Sequence, residues 1–223
     1  MTKILIHQPE YLPWTHLFEK IKLCDIFVIL DNVQYNRRSF QNRNQIKNQS
    51  GAKWLTVPIK YAERSEIIKN ITIDNSKNWK QEHLDLIKKN YTEANYFNIF
   101  YKSLENLFKQ EYDKLYKLNI DLIKLICKIL NIKCDFLILS DMKIISKKSN
   151  LILDICLELN STEYITGIGS MNYLKLEDFK KNNININFLN PKKEIYSQLF
   201  PEIDFIENLS VIDKIFNKGL NII

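Results

Sequence analysis

At 223 residues, with 45% hydrophobic and 26% charged side chains, the chain carries enough apolar surface for one well-buried domain and does not require two. Its longest apolar runs, such as Ile26-Phe27-Val28-Ile29-Leu30, are far too short to span a bilayer, and Met1-Thr2-Lys3 leads straight into Ile4-Leu5-Ile6 with no secretory leader, so a cytoplasmic location is expected. A formal charge of +6 spread over lysine-rich segments lacks the dense basic stripe of a nucleic-acid binder, while Cys24, Cys127, Cys134 and Cys156, with no CxxC pair or nearby histidine, argue for buried thiols and against a metal centre.

In chain order, Lys3 to His7 predicts a short buried strand that stops at the polar turn His7-Gln8-Pro9. Pro13 suits the first turn of a helix from Trp14 to Leu23, with Leu17, Phe18 and Ile21 on one face. Asp25 to Asp31 is an unbroken apolar strand flanked by carboxylates, the pattern of a parallel strand covered on both faces, and the three elements make a βαβ opening.

The polar segment that follows is unusual in its cations. Three of the four arginines fall in Asn36-Arg37-Arg38-Ser39-Phe40-Gln41-Asn42-Arg43-Asn44, the other 28 basic residues are all lysine, and no acidic residue occurs from Asn32 to Ala62. Guanidinium offers a rigid planar fork that grips carboxylate or phosphate in two places, so an uncompensated cluster of this kind predicts an anion site. Gln41, Asn42 and Asn44 add neutral donors and acceptors suited to sugar hydroxyls.

Lys53 to Pro58 reads as a strand with its proline at an edge or end, and Ile67 to Ile73 as another. Ser76 is placed to cap a helix running to Asn90, and a longer helical stretch from Asn95 to Asn131 breaks near Gln110 to Asp113. Asp135 to Ser140 predicts a strand, Leu151 to Leu159 a helix, Glu163 to Thr166 a strand entering Gly167-Ile168-Gly169, Lys175 to Asn182 a helix and Ile184 to Leu189 a strand. The alternation specifies a single α/β domain over 1–223, a Rossmann-like layered and mostly parallel sheet with a helical segment at about 76–131. In such sheets ligands bind beyond the carboxyl ends of the strands, where His7, Asp31, Ser140 and Gly167 all lie.

Several blocks carry a family resemblance: Ile6-His7-Gln8-Pro9-Glu10-Tyr11-Leu12-Pro13-Trp14, Asp25 to Gln34, Arg38-Ser39-Phe40-Gln41-Asn42-Arg43-Asn44, Trp54-Leu55-Thr56-Val57-Pro58, Trp79 with His83, Tyr164-Ile165-Thr166-Gly167, and Leu209 to Gly219. Together they resemble the WbqC-like family of bacterial surface-polysaccharide proteins over nearly the whole chain, departing from it at Thr15-His16. The resemblance implies transfer of an acyl group, glycyl or a related aminoacyl, onto a nucleotide-linked or lipid-linked amino sugar. The sequence has no acetyl-CoA loop, hexapeptide repeat or GxxxxGK[ST] loop, so activation must come from ATP with magnesium or from an aminoacyl donor, aminoacyl-tRNA being the one nucleic-acid partner to consider.

The opening His7-Gln8-Pro9 is also similar to that of nucleotidyltransferases and pantothenate-synthetase-like adenylating enzymes, which implies a second reading as an adenylating ligase. A non-catalytic protein that binds a glycan intermediate is the third. The expected site comprises His7 and Asp31 as catalytic groups, and Gln8, Tyr11, Arg38, Gln41, Asn42, Arg43, Asn44, Trp54, His83 and Gly167 as binding groups, with no metal ligands. Asp31 is read either as a metal-bridging carboxylate or as the partner that orients Arg38, and His7 either as an acid/base or as a histidine tied to a backbone carbonyl.

Overall fold

The computed structural model describes residues 1–190 and 194–223. Contacts along the chain gather into two compact units. One consists of Met1–Gln8, His16–Asn32 and Ile132–Lys192, the other of Pro9–Thr15, Val33–Asn131 and Lys193–Ile223.

The first unit is built on a five-stranded parallel sheet. Its strands are β1 (Lys3–His7), β2 (Ile26–Ile29), β5 (Asp135–Ile138), β6 (Glu163–Gly167) and β7 (Asn185–Leu189), in the order β5-β2-β1-β6-β7. Ile4, Leu5, Phe27, Val28 and Ile29 are wholly buried, as an apolar run covered on both faces must be. Helix α1 (Thr15–Leu23) buries Leu17, Phe18 and Ile21, and α5 (Lys148–Glu158) and α6 (Leu176–Lys181) connect the later strands. The expected parallel α/β sheet is present. Cys24 and Cys134, 110 residues apart in sequence, bring their sulfurs to 3.6 Å at the start of β2 and β5.

The second unit holds the helical segment as α2 (Trp79–Tyr91), α3 (Phe97–Phe108) and α4 (Leu115–Ile129), with α7 (Val211–Lys218) and an antiparallel ribbon of β3 (Arg43–Asn48) and β4 (Gly51–Thr56). Three sequence expectations need correction. The arginine segment, expected as loop throughout, contains β3: Ile46 and Asn44 face inward while Arg43 and Gln45 face outward, an alternation hidden by the polar composition. Ile67 to Ile73 is a short 3-10 turn at Ile68–Asn70 rather than a strand. Its backbone groups bond to Val33, Asp113 and Leu115 separately, so no ladder forms although Ile68, Ile71 and Ile73 are buried. Ser76 does not cap α2; its hydroxyl binds Asp74 Oδ1 at 2.6 Å and the helix begins after Asn78.

No helix among the described residues is long and apolar enough to cross a membrane.

Candidate functional site

Counting only the strands of the five-stranded sheet, their spatial order is third, second, first, fourth, fifth. The connections therefore run in opposite directions on either side of the β1–β6 boundary, which makes that boundary the switch point where doubly wound sheets open a crevice. His7 ends β1 and Gly167 ends β6. Carrying the Leu5–Ile165 pairing two residues onward sets them level with each other.

His7 places Nδ1 2.9 Å from the Gln8 carbonyl oxygen. A carbonyl can only accept, so the neutral ring carries its proton on Nδ1 and keeps a lone pair on Nε2. Burial, and after it the charge of Lys20, push the imidazole down to about 3, with a smaller contribution from His16. His7 is thus a neutral base throughout the physiological range. Lys20 and His16 on α1 are both buried, and His16 Nδ1 lies 2.8 Å from Glu19 Oε2. This basic neighbourhood of His7 is not visible in the sequence until α1 is folded against β1.

A Cβ on Gly167 would meet nothing within 4 Å, so the chain here borders open space. Beyond it a short turn, Ile168–Asn172, is tied down by Ser170, whose hydroxyl donates to the Gly167 carbonyl at 2.8 Å. The same stretch leaves Ile168, Met171 and Tyr173 about half exposed, an apolar rim the sequence reading missed.

Asp31 lies two residues past β2 and is wholly buried. Its Oδ1 accepts the Ser140 backbone N–H at 2.9 Å, stitching the loop after β2 to the loop after β5. Oδ2 is enclosed without a hydrogen-bond partner among the described residues. An enclosed carboxylate oxygen lacking a donor is costly, and such groups persist where a ligand or a reaction needs them. Asp31 forms no ion pair among the described residues, so its partner is Ser140 and not an arginine; nor do those residues include a group of three or more His, Cys, Asp or Glu able to hold a metal. A groove of about 530 Å³ elsewhere in this unit is lined by Lys143, Ile145, Ser146, Asp154, Leu157 and Glu158, and it includes none of these strand-end residues.

In the second unit the arginine segment is held by its amides. Asn42 Nδ2 donates to the Val57 carbonyl at 3.0 Å, Asn44 Nδ2 to the Leu12 carbonyl at 2.7 Å, and Gln41 Oε1 accepts the Asn36 N–H at 3.1 Å. All three residues are buried, so much of their hydrogen-bonding capacity goes to shaping the loop, although Asn42 Oδ1 has no partner among the described residues. Arg37 donates to the Ala62 carbonyl. Arg43 donates to the Arg38 carbonyl at 2.5 Å and lays its guanidinium 4.2 Å from the Trp54 ring centroid. Arg38 is exposed, with φ of 58°, a left-handed conformation uncommon outside glycine.

Asn119 of α4, overlooked in the sequence, donates to the Pro9 carbonyl at 3.1 Å and the Gln41 carbonyl at 2.7 Å. The signal available was a lone amide within an otherwise apolar helix face.

Tyr11 and His83 are buried against each other, the hydroxyl 2.8 Å from Nδ1. Burial drives His83 down to about 4, opposed by a hydrogen bond to the Thr56 backbone. In the unfolded chain its pKa returns to 6.5, so as pH falls from 6.5 toward 4 the unfolded state takes up the proton first and stability drains away; it is fully present above 6.5. His83 alone should remove on the order of 2 kcal/mol of stability between pH 7 and 5. Denaturant titrations at the two pH values test this, and a His83→Gln variant with the same acid slope as the wild type would show that the histidine is not its source.

The WbqC-like protein family model matches residues 8–223. The chain belongs to this family. The WbqC-like match takes in the arginine segment, Asp31, Gly167 and the C-terminal helix α7, and leaves out only the first strand up to His7. The chain is also similar to "Uncharacterized protein Rv1507c" of Mycobacterium tuberculosis (strain ATCC 25618 / H37Rv), with 29% identity over 222 residues covering 98% of this chain and 95% of that protein. No solved structure matches.

Proposed function

We propose that this WbqC-like protein is a transferase that forms an amide on an amino sugar during surface-polysaccharide synthesis, using a glycyl or related aminoacyl group. The observation that carries the reading is His7, neutral and with its lone pair on Nε2, level with the open Gly167 edge at the sheet's switch point. In this chemistry the sugar amine attacks the acyl carbonyl, the new C–N bond forms, and the bond from that carbonyl to the donor's oxygen breaks. The amine becomes strongly acidic as it attacks, so a weak base can take its proton and return it to the departing oxygen. An anionic donor approaching the crevice would itself raise the His7 pKa toward a useful value. The apolar rim of Ile168, Met171 and Tyr173 helps keep water from the acyl carbonyl.

The buried Lys20 cation beside His7 favours a second reading, in which ATP phosphates are held at this edge and the enzyme makes an adenylate. The two separate in one assay. Purified protein is given an amino sugar acceptor with aminoacyl-tRNA or with ATP, magnesium and an amino acid, and products are followed by mass and by pyrophosphate release. An added aminoacyl mass without pyrophosphate supports direct transfer, while pyrophosphate release marks the adenylating reading. Saturable binding with neither product means a non-catalytic binder. Gly167→Leu, whose side chain enters open space, should melt like the wild type yet lose at least tenfold in turnover; full activity in that variant would remove the switch-point edge from the site.

A further inference from the structure

The face of the β3–β4 ribbon that carries Arg43, Gln45 and Lys47 is buried at its Lys47 end and partly open at the end that carries Arg43 and Trp54. Residues pair as Arg43 with Thr56 and Gln45 with Trp54, so Arg43, Gln45, Trp54 and Thr56 share one face while Asn44, Ile46 and Leu55 turn inward. On that outer face Trp54 is 38% exposed and Phe40 44% exposed. Their ring centroids lie 6.2 Å apart at 36°, and Arg43 stacks over the indole. Two large, partly exposed aromatic rings side by side, tilted by 36° and with a guanidinium over one of them, offer π surface to solvent. Arg43 also pins the Arg38 carbonyl, fixing the left-handed turn that sends the Arg38 side chain outward, where it makes no hydrogen bond or ion pair among the described residues. The surrounding stretch from Asn32 to Ala62 has no acidic side chain to neutralise it.

We propose that this face is a stacking platform for the base of a nucleotide, with its phosphates drawn to Arg38. The inference rests on reading the substrate as an activated amino sugar and assigns its carrier: a nucleoside diphosphate and not a prenyl diphosphate. Both carriers present a diphosphate, and an arginine alone does not tell them apart. The aromatic pair does. A base offers a flat π face that gains from stacking on Trp54 and Phe40, with Gln45 beside them able to bond a base edge, whereas a prenyl chain needs an apolar groove and would meet arginine and glutamine on this face. Charge and shape together fit a single mononucleotide unit; the platform holds two rings, not the row of them that tracks a nucleic-acid strand.

Titration calorimetry on the full chain tests the assignment without requiring turnover. The probes are the uridine, cytidine, guanosine, adenosine and deoxythymidine diphosphates, inorganic pyrophosphate, farnesyl diphosphate, and a uridine dodecamer. At least one nucleoside diphosphate is expected to bind ten times more tightly than pyrophosphate. Trp54→Ala should erase that tenfold advantage and leave pyrophosphate affinity within twofold, Trp54→Tyr should restore most of it, and Arg38→Lys should weaken nucleotide and pyrophosphate alike by about tenfold through loss of the fork. Melting curves on each variant confirm the fold, which an exposed ring does not hold up. Nucleoside diphosphates binding no better than pyrophosphate, an unchanged Trp54→Ala variant, tighter binding of farnesyl diphosphate, or tighter binding of the dodecamer per site each overturn the platform. Nucleotide binding through Trp54 in a protein that transfers no acyl group would leave the platform standing and remove the transferase reading, so the two fail separately.

Discussion

His7→Ala is expected to lower turnover by roughly 10²–10⁴ with substrate affinity nearly unchanged, the range a positioned base contributes. Among the described residues the only hydrogen bond of its side chain is to the carbonyl of the next residue, at 2.9 Å, so the substitution frees one acceptor at a strand end and should lower the melting temperature only slightly. The pH profile is where structure and sequence part. From the sequence alone a catalytic histidine predicts a rate that falls as pH drops through its ordinary value near 6.5. Burial and the Lys20 charge hold this imidazole at about 3 in the free protein, so kcat/KM, which reports the free protein, should stay level from neutrality down to the acid range where the fold itself fails. Lys20→Met offers a second handle. Removing that charge should raise the His7 pKa and bring an acid limb up toward neutrality, a shift that a merely structural histidine would not produce. Stopped-flow measurement of the acyl-transfer step, on preparations whose folded fraction is known, decides the matter; activity that simply follows the folded fraction would take His7 out of the chemistry.

The sheet was legible because its strands are apolar on both faces. Lys3–His7 and Ile26–Ile29 stand out as runs of Ile, Leu, Phe and Val, and residues that follow such runs in a parallel sheet must emerge at its carboxyl edge. That argument places His7, Asp31, Ser140 and Gly167 without any knowledge of packing. The ribbon was not legible for the opposite reason. Arg43–Asn48 has one buried aliphatic residue, Ile46, and its inward-facing partner is the amide of Asn44, so polarity concealed a period of two. The arginine cluster was conspicuous by composition, but composition could not separate Arg43, bound to the Arg38 carbonyl and stacked on Trp54, from Arg38, whose side chain is free of both duties. The amides of Asn42 and Asn44, suited on paper to sugar hydroxyls, serve backbone carbonyls at Val57 and Leu12. Pairs far apart in sequence, such as Tyr11 with His83, leave no local pattern at all.

The largest stability effect should come from Asp213, in a network that the sequence reading passed over. This carboxylate on α7 is wholly buried and accepts from Tyr91 Oη at 2.6 Å, Tyr196 Oη at 2.6 Å and Gln198 Nε2 at 3.1 Å. Burial raises its pKa, against the pull of those three donors and of the Lys47 charge. Tyr91 Oη in turn accepts the Lys47 backbone N–H at 2.9 Å, and the Lys47 ammonium, 1% exposed, donates to the Ile203 carbonyl at 3.1 Å. Asp213→Ala would strand three donors and leave the buried Lys47 without its nearby anion. Breaking a buried charge network in this way costs about 3–5 kcal/mol, a large share of the 5–15 kcal/mol typical of a whole domain. Asp213→Asn, which still offers one oxygen, should cost less, and Tyr196→Phe, which removes a single donor, about 1 kcal/mol. Because Lys47 sits on β3 four residues after Arg43, the Ala variant should also loosen the ribbon, so nucleoside diphosphate affinity should fall in step with stability. Denaturant unfolding of the three variants beside the wild type gives the ranking. An Asp213→Ala protein within 1 kcal/mol of wild type would mean that the network merely occupies the interior and does not hold β3 in place.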